Sequence, residues 1–184
     1  MYIEFSRGWD KSRFTRVSSL RTDGKKPFMQ EDDCVVNDIP KAEMMQHNYI
    51  SLLSNEYFSA PVTLTTVCSF EKFGAPLIVI SDDVKPAPDG FPAYGHHFEV
   101  VAFEEGINVW ELNGTDKPIK AAFARFPVEA GKKLTLTVKA ETGKLLIDLD
   151  GNRLEAELPS LPSRFRAGIT ACEGVNRFYM FSAL

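Results

Sequence analysis

The stretch 134–158 reads LTLTVKAETGKLLIDLDGNRLEAEL and holds three short segments in which apolar and polar residues alternate. Such alternation is typical of a strand that buries one face and exposes the other. Two turns separate the segments, at 141–144 and 150–152, where glycine and asparagine adopt positive φ at little cost. The stretch therefore predicts a meander of three antiparallel strands.

Alternating or continuous apolar runs of similar length continue outward on both sides of this meander. We predict further strands at 62–70, 76–81, 97–103, 107–112, 119–126, 166–172 and 176–183. Turn residues separate them at roughly the 8–12-residue spacing of a β-sandwich. Only 41–46 (KAEMMQ) has a helical pattern, enough for one short helix. Without an internal repeat or a linker, the sequence predicts one all-β domain over 1–184, a two-sheet antiparallel β-sandwich.

Composition and charge exclude several functional classes. The chain has 184 residues, 44% of them hydrophobic, and a formal net charge of −4. Its basic residues are interspersed with acids, which argues against a nucleic-acid partner. No run approaches the roughly 18 apolar residues of a membrane-spanning helix, and the N-terminal segment lacks the apolar core of a secretory signal. As the chain stands, we expect a soluble cytoplasmic protein without a membrane partner; a trimmed leader would make it a secreted one.

The residues that commonly bind metal ions form no recognisable ligand pattern. The three cysteines have no paired spacing, so the sequence indicates neither a disulfide framework nor a structural zinc site. Calcium takes six to eight oxygen ligands. The stretch 82–95 offers a partial set of such ligands, the carboxylates of Asp82, Asp83 and Asp89. We therefore predict no cofactor and leave calcium open at these three acids.

Residues 82–95 (DDVKPAPDGFPAYG) also stand out as a connection between strands. Three prolines and two glycines make the stretch too irregular for a strand and long for a turn. It is either a surface excursion or a wall beside a binding face, because loops on a rigid scaffold often carry contacts.

Three places in the chain resemble the concanavalin A-like lectin/glucanase superfamily, which includes laminin-G-like and sugar-hydrolase-associated domains. Residues 9–37 are similar to its entry strands, and 145–158 (LLIDLDGNRLEAEL) to its hairpin with an Asp-Gly turn. Ala167-Gly168-Ile169 followed by 177–181 (RFYMF) resembles its closing strands. The resemblance implies a jelly roll of two curved sheets and says little about activity. The hydrolases of that superfamily carry an E-x-D-x-x-E strand, whereas 99–105 (EVVAFEE) has a different spacing and no aspartate, which argues against their retaining hydrolysis.

A candidate site arises where two predicted strands would pair through a turn at 105–106. Their non-core sides would then form one face that carries His97, Glu99, Asn108 and Trp110. An indole stacks on the C–H face of a sugar, while polar groups bond its hydroxyls. We therefore predict a carbohydrate-binding face for an oligo- or polysaccharide, with Tyr94 and Arg125 assisting. The competing interpretation packs Trp110 under 82–95 and closes the face.

Two other functions stay open. His97 and Glu99 would form an acid/base pair for a glycoside hydrolase or polysaccharide lyase, because imidazole titrates near neutrality. No catalytic triad, phosphate-binding loop or metal motif accompanies them. Alternatively, the chain is a non-catalytic protein-interaction module, in which an open sheet edge near Trp9, or the turn at 173–177, supports a homodimer.

Overall fold

The described part of the chain consists mainly of β-strands. The computed structural model describes residues 1–19, 27–37, 39, 49–87 and 90–184. The helix expected at 41–46 lies outside these residues. One 3-10 turn, Lys11–Arg13, precedes the second strand. The strands of the described residues are β1 (Tyr2–Glu4), β2 (Phe14–Val17), β3 (Phe28–Gln30), β4 (Val35–Asn37), β5 (Tyr49–Ser54), β6 (Phe58–Ser59), β7 (Val62–Phe70), β8 (Ala75–Ser81), β9 (Val84–Pro86), β10 (Pro92–Tyr94), β11 (His96–Phe103), β12 (Gly106–Asn113), β13 (Ile119–Arg125), β14 (Leu134–Glu141), β15 (Lys144–Leu149), β16 (Asn152–Glu157), β17 (Arg164–Cys172) and β18 (Asn176–Ala183).

These strands form two large antiparallel sheets packed face to face, which confirms the predicted all-β sandwich. Sheet A has the order β16-β15-β14-β7-β18-β4-β3, and β1 also pairs with β18. Sheet B has the order β13-β12-β11-β8-β17-β5-β2, and β6 also pairs with β17. Strands β9 and β10 form a separate hairpin. No helix of the described residues is long and apolar enough to cross a membrane.

The core between the sheets follows from the alternation along each strand. In β14, Leu136, Val138 and Ala140 are fully buried, while Thr135 and Lys139 on the opposite face are exposed. Burying such an aliphatic side chain contributes about 1.5–3 kcal/mol. Strand β11 alternates in the same way. Phe98 and its even-numbered neighbours point into the core, and the odd-numbered residues lie on the opposite face of sheet B. That opposite face, here called the outer face of sheet B, holds the candidate site.

Most predicted strands lie within two residues of the observed ones, as in Asn176–Ala183. The interpretation of 82–95 as an irregular connection was wrong in part, because β9 and β10 pair there. Pro92 faces Pro86 at one end of this short ladder, and a hairpin edge tolerates prolines because their missing N–H groups need no partner. Strand β5 was not predicted at all.

Trp9 packs against aromatic residues of the sandwich. Its ring centroid lies 5.1 Å from that of Phe5 and 5.8 Å from that of Phe14, and its Nε1–H donates to Oε1 of Gln30 at 2.8 Å. These contacts attach the N-terminal segment to the sandwich. The homodimer through a sheet edge stays a prediction.

Candidate functional site

Strands β11 and β12 bring the predicted residues to one face. Glu99 is directly opposite Trp110, and Val101 is opposite Asn108. The predicted pairing through the 105–106 turn is therefore confirmed. Since Phe98, Val100 and Val109 point into the core, Glu99, Asn108 and Trp110 lie on the outer face of sheet B.

A cavity of about 500 Å³ opens on this face. Its walls are mainly apolar and carry a few polar groups, which is the usual character of a small-molecule site. The described lining residues are Ser19, Tyr49, Ala75, Glu99, Val101, Phe103, Asn108, Trp110, Leu112, Pro118, Cys172 and Glu173.

Trp110 lies at this cavity rather than between the sheets. The indole is half-buried, packed at the edge of a small apolar cluster on the outer face. The Lys120 ammonium lies 4.8 Å from the ring centroid, a cation–π contact from the neighbouring strand β13. Exposed contacts of this kind contribute about 0.5–1 kcal/mol. Trp110 lines the cavity, whereas residues 82–87 and 90–95, the described part of the connection, are not among the residues that line it.

Glu99 is held at the cavity by a tyrosine from a distant strand. The Tyr49 hydroxyl donates to Glu99 Oε1 at 2.7 Å, and the carboxylate residue is only 6% exposed. Burial, followed by the nearby charge of Glu99, raises the pKa of Tyr49 well above its usual value. The phenol therefore stays protonated at neutral pH and serves as a permanent donor to the carboxylate.

His97 and Tyr94 lie beside the cavity and do not line it. Their exposed fractions are 2% and 1%, and their rings stack with centroids 4.8 Å apart. His97 Nδ1 lies 3.0 Å from the Gly95 carbonyl oxygen, which can only accept, so Nδ1 carries the proton. Nε2 lies 3.4 Å from Glu99 Oε1 and is buried without a hydrogen-bond partner among the described residues. The predicted site residues His97 and Tyr94 are therefore buried next to the cavity and not exposed to a ligand in it.

The Asn108 amide is uncommitted. It has no hydrogen-bond partner in the described part of the protein, and its Oδ1 is buried without one. Nearly all such groups in proteins are paired, so an unpaired amide at a cavity wall needs an explanation, and a ligand supplies one.

Arg125 and the acids of 82–95 lie apart from this group. Arg125 is at the end of β13, exposed, with an ion pair to Glu105 at 3.2 Å, and it does not line the cavity. Asp83 accepts from the His96 backbone N–H at 3.0 Å, which lowers its pKa, and pairs with Lys85. Asp82 is exposed, and Asp89 lies outside the described residues. Among the residues with described positions, no group of three side chains is arranged to hold a metal ion.

The sequence interpretation missed the opposite wall of the cavity. Tyr49 and Cys172 come from β5 and β17, which pair with each other. The signal for Cys172 was the alternation of β17, since its odd-numbered residues 165–171 are buried in the core. Tyr49 begins a strand that is buried along nearly its whole length. Its sequence has no clear alternation, so it does not indicate which residues lie on the outer face.

Comparisons with known proteins identify the fold. No protein-family model and no curated protein sequence matches the chain. Among solved structures, the carbohydrate-binding module CBM66 from Bacillus subtilis is 14% identical with a TM-score of 0.68, over 93% of this chain and 94% of that one. A legume lectin-like domain from Entamoeba histolytica is 14% identical with a TM-score of 0.63, over 98% and 95%. A glycoside hydrolase family 16 endo-glucanase from Bacteroides ovatus is 11% identical with a TM-score of 0.60, over 100% and 99%. The architecture is the concanavalin A-like jelly roll, as the resemblance implied.

Proposed function

We propose that this protein binds a carbohydrate chain non-covalently in the cavity on the outer face of sheet B. The observation that carries the proposal is the meeting of three side chains at one cavity: the Trp110 indole, the uncommitted Asn108 amide and the Glu99 carboxylate. They represent the three kinds of contact that a sugar needs, namely an aromatic surface, an amide that both donates and accepts, and a strong acceptor.

The geometry supports binding with little reorganisation. Trp110, Asn108 and Glu99 lie on paired central strands, so their backbone is already in place. Glu99 keeps its position through the Tyr49 hydroxyl. The Lys120 ammonium lies over the indole and must move for a sugar to stack on that side of the ring, but the contact it gives up is weak. A preorganised face of this kind loses little entropy on binding.

The solved structures of this fold support the same class of ligand. Their names include a carbohydrate-binding module, a legume lectin-like domain and an endo-glucanase. Binding without reaction suits this chain because His97, the acid/base candidate that the sequence offered beside Glu99, is buried and does not line the cavity.

The test is binding to a glycan array, followed by calorimetric titration of the glycans that bind. We expect Trp110→Ala to weaken binding roughly tenfold, about 1.4 kcal/mol, since the variant loses the aromatic surface on which a sugar ring stacks. Its thermal unfolding should change little because the indole is only half-buried. The control is Tyr2→Ala, an aromatic of 56% exposure on sheet A, which should bind normally. Equal binding by the two variants would exclude the cavity as the site.

A second function, glycan cleavage, rests on the hydrogen bond between Tyr49 and Glu99 inside the cavity. A carboxylate and a phenol in one cavity are groups that donate and accept protons in sugar chemistry. Sugar release from a polysaccharide panel tests it, with Glu99→Gln as the variant that loses the carboxylate and keeps the shape. If the wild type releases sugar and Glu99→Gln does not, the protein is an enzyme. If the wild type binds glycans without releasing sugar, it is a binding protein.

A further inference from the structure

A second group of side chains on sheet B has the chemistry of a binding site and lies outside the cavity. Tyr57, just before β6, is 47% exposed. The Arg164 guanidinium carbon lies 4.5 Å from its ring centroid, and that of Arg166 lies 5.6 Å from it. We call Tyr57, Arg164 and Arg166 the arginine–tyrosine cluster.

The backbone holds the cluster in place. Arg164 and Arg166 are two residues apart on β17, opposite Ser59 and Ser81 of the strands on either side. Phe165 and Ala167 point into the core, so both arginines are on the outer face of sheet B. Stacking on one aromatic ring further restricts the two guanidinium groups.

No carboxylate of the described residues pairs with the cluster, although the protein has more acidic than basic residues. The chain contains 25 acidic and 21 basic residues other than histidine. Five other arginines, all in the described part of the chain, form ion pairs with carboxylates: Arg7, Arg13, Arg125, Arg153 and Arg177. Arg164 and Arg166 form no such pair with a carboxylate of the described residues, and Nε of Arg166 is buried without a hydrogen-bond partner among them. Even Glu56, which adjoins Tyr57 in sequence, pairs with Arg13 instead.

Two like charges on one strand face repel each other, and an unpaired buried donor is costly. Both disadvantages disappear when an oxyanion sits between the guanidinium groups. The fork of N–H groups on each arginine matches the two oxygens of a carboxylate or a sulfate. Tyr57 adds an exposed aromatic surface beside the anion, on which the C–H face of a sugar ring stacks.

We propose that the arginine–tyrosine cluster binds an acidic sugar, through the carboxylate of a uronic acid or the sulfate of a sulfated residue. That the anion belongs to a sugar rests on the proposed function. That the ligand carries an oxyanion rests on the arginine–tyrosine cluster itself. The site is separate from the cavity, because none of the three cluster residues lines it.

The test compares binding of two oligosaccharides of equal length, one with glucuronate and one neutral, by calorimetric titration, with inorganic sulfate as a third probe. We expect the acidic oligosaccharide to bind more tightly than the neutral one, and Arg164→Gln/Arg166→Gln to remove that preference, a loss of roughly tenfold or more for two charge-assisted contacts. Arg164→Lys/Arg166→Lys keeps the charge but loses the fork, and should show an intermediate preference. Trp110→Ala should retain the preference for the acidic oligosaccharide.

The possible failures are distinct. If both oligosaccharides bind equally and Trp110→Ala abolishes both, the proposed function stands and the acidic-sugar site is overturned. If neither binds, the proposed function is overturned as well. If inorganic sulfate binds but neither oligosaccharide does, the cluster binds an oxyanion, and the proposal that this anion belongs to a sugar is overturned. Thermal unfolding of each variant identifies a loss that comes from misfolding, and the Lys pair then decides in place of the Gln pair.

Discussion

The Tyr49 hydroxyl donates a 2.7 Å hydrogen bond to Glu99, although the two residues lie on strands β5 and β11, which β17 and β8 separate in sheet B. The tyrosine therefore extends across two neighbouring strands on the outer face. One hydrogen bond thus joins the two walls of the cavity.

We expect Tyr49→Phe to lower the free energy of unfolding by about 1–3 kcal/mol, because it leaves a buried carboxylate oxygen without its donor. Urea denaturation measures the change. The matched control is Tyr2→Phe, which removes a 2.8 Å hydrogen bond to Glu4 at the protein surface and should have no measurable effect. Equal destabilisation by the two substitutions would show that the buried bond has no special role.

The stability of the protein should fall in alkali through its buried tyrosines. Burial raises the pKa of Tyr49 and of Tyr94 above the ordinary value of 10.0. In the unfolded chain these phenols ionise from about pH 10, whereas in the folded protein they stay neutral, so the unfolded state gains stability as the pH rises. Their contribution is complete below pH 10 and is lost above it.

Denaturation of the wild type and of Tyr49→Phe over this alkaline range measures how much Tyr49 contributes to the pH dependence of the unfolding free energy. The difference in unfolding free energy between them should be constant below about pH 10 and shrink above it. Other groups, among them Cys68, whose pKa burial raises to about 12, titrate in both proteins and cancel in the comparison. A difference that stays constant up to pH 12 would contradict the raised pKa of Tyr49.

Cys172 should react slowly although it lines the cavity. Burial, and then the charges of Glu99 and Glu173, raise its pKa well above the usual value. Because the thiolate is the nucleophile, alkylation by iodoacetamide at pH 8 should be at least about tenfold slower than for an exposed cysteine peptide. Mass spectrometry follows the modified site. Glu99→Gln should accelerate the reaction, and a rate equal to that of the peptide would show a thiol of ordinary pKa.

Gly168→Ala should destabilise the protein by about 3 kcal/mol or more, since overpacking against backbone cannot relax by a side-chain movement. A Cβ at this position would lie 1.9 Å from the backbone oxygen of Leu52 on β5. Gly131→Ala is the comparison, because its added Cβ meets nothing within 4 Å. Its only expected cost is the backbone strain of an alanine at a positive φ of 84°. That strain amounts to about 1–2 kcal/mol. Equal effects on the denaturation midpoint would mean that β17 and β5 separate easily.

The site could be predicted from sequence only where strands are adjacent in the chain. Glu99 and Trp110 come from one hairpin, whose turn at 105–106 sets the register, and the parity of each strand then assigns the face. Tyr49 and Cys172 belong to strands distant in sequence, and no local signal indicates that these strands lie beside β8 and complete the wall. Likewise, 82–95 contains turn residues throughout, and no local signal indicates that β9 and β10 pair there or that the backbone of Ser18, just after β2, bridges that of Ala93.

The class of fold, most of the strands and the side chains that face the core could be predicted from the chain alone, because the period of two and the turn residues are local properties. Which strands are neighbours emerged only from the three-dimensional structure, and so did the burial of Tyr94 and His97 and the half-exposed position of Trp110. The same holds for the two arginines that stack on one tyrosine with no carboxylate partner among the described residues. Those outcomes depend on long-range packing, in which one side chain covers another from a different strand, and alternation within a strand carries no information about that.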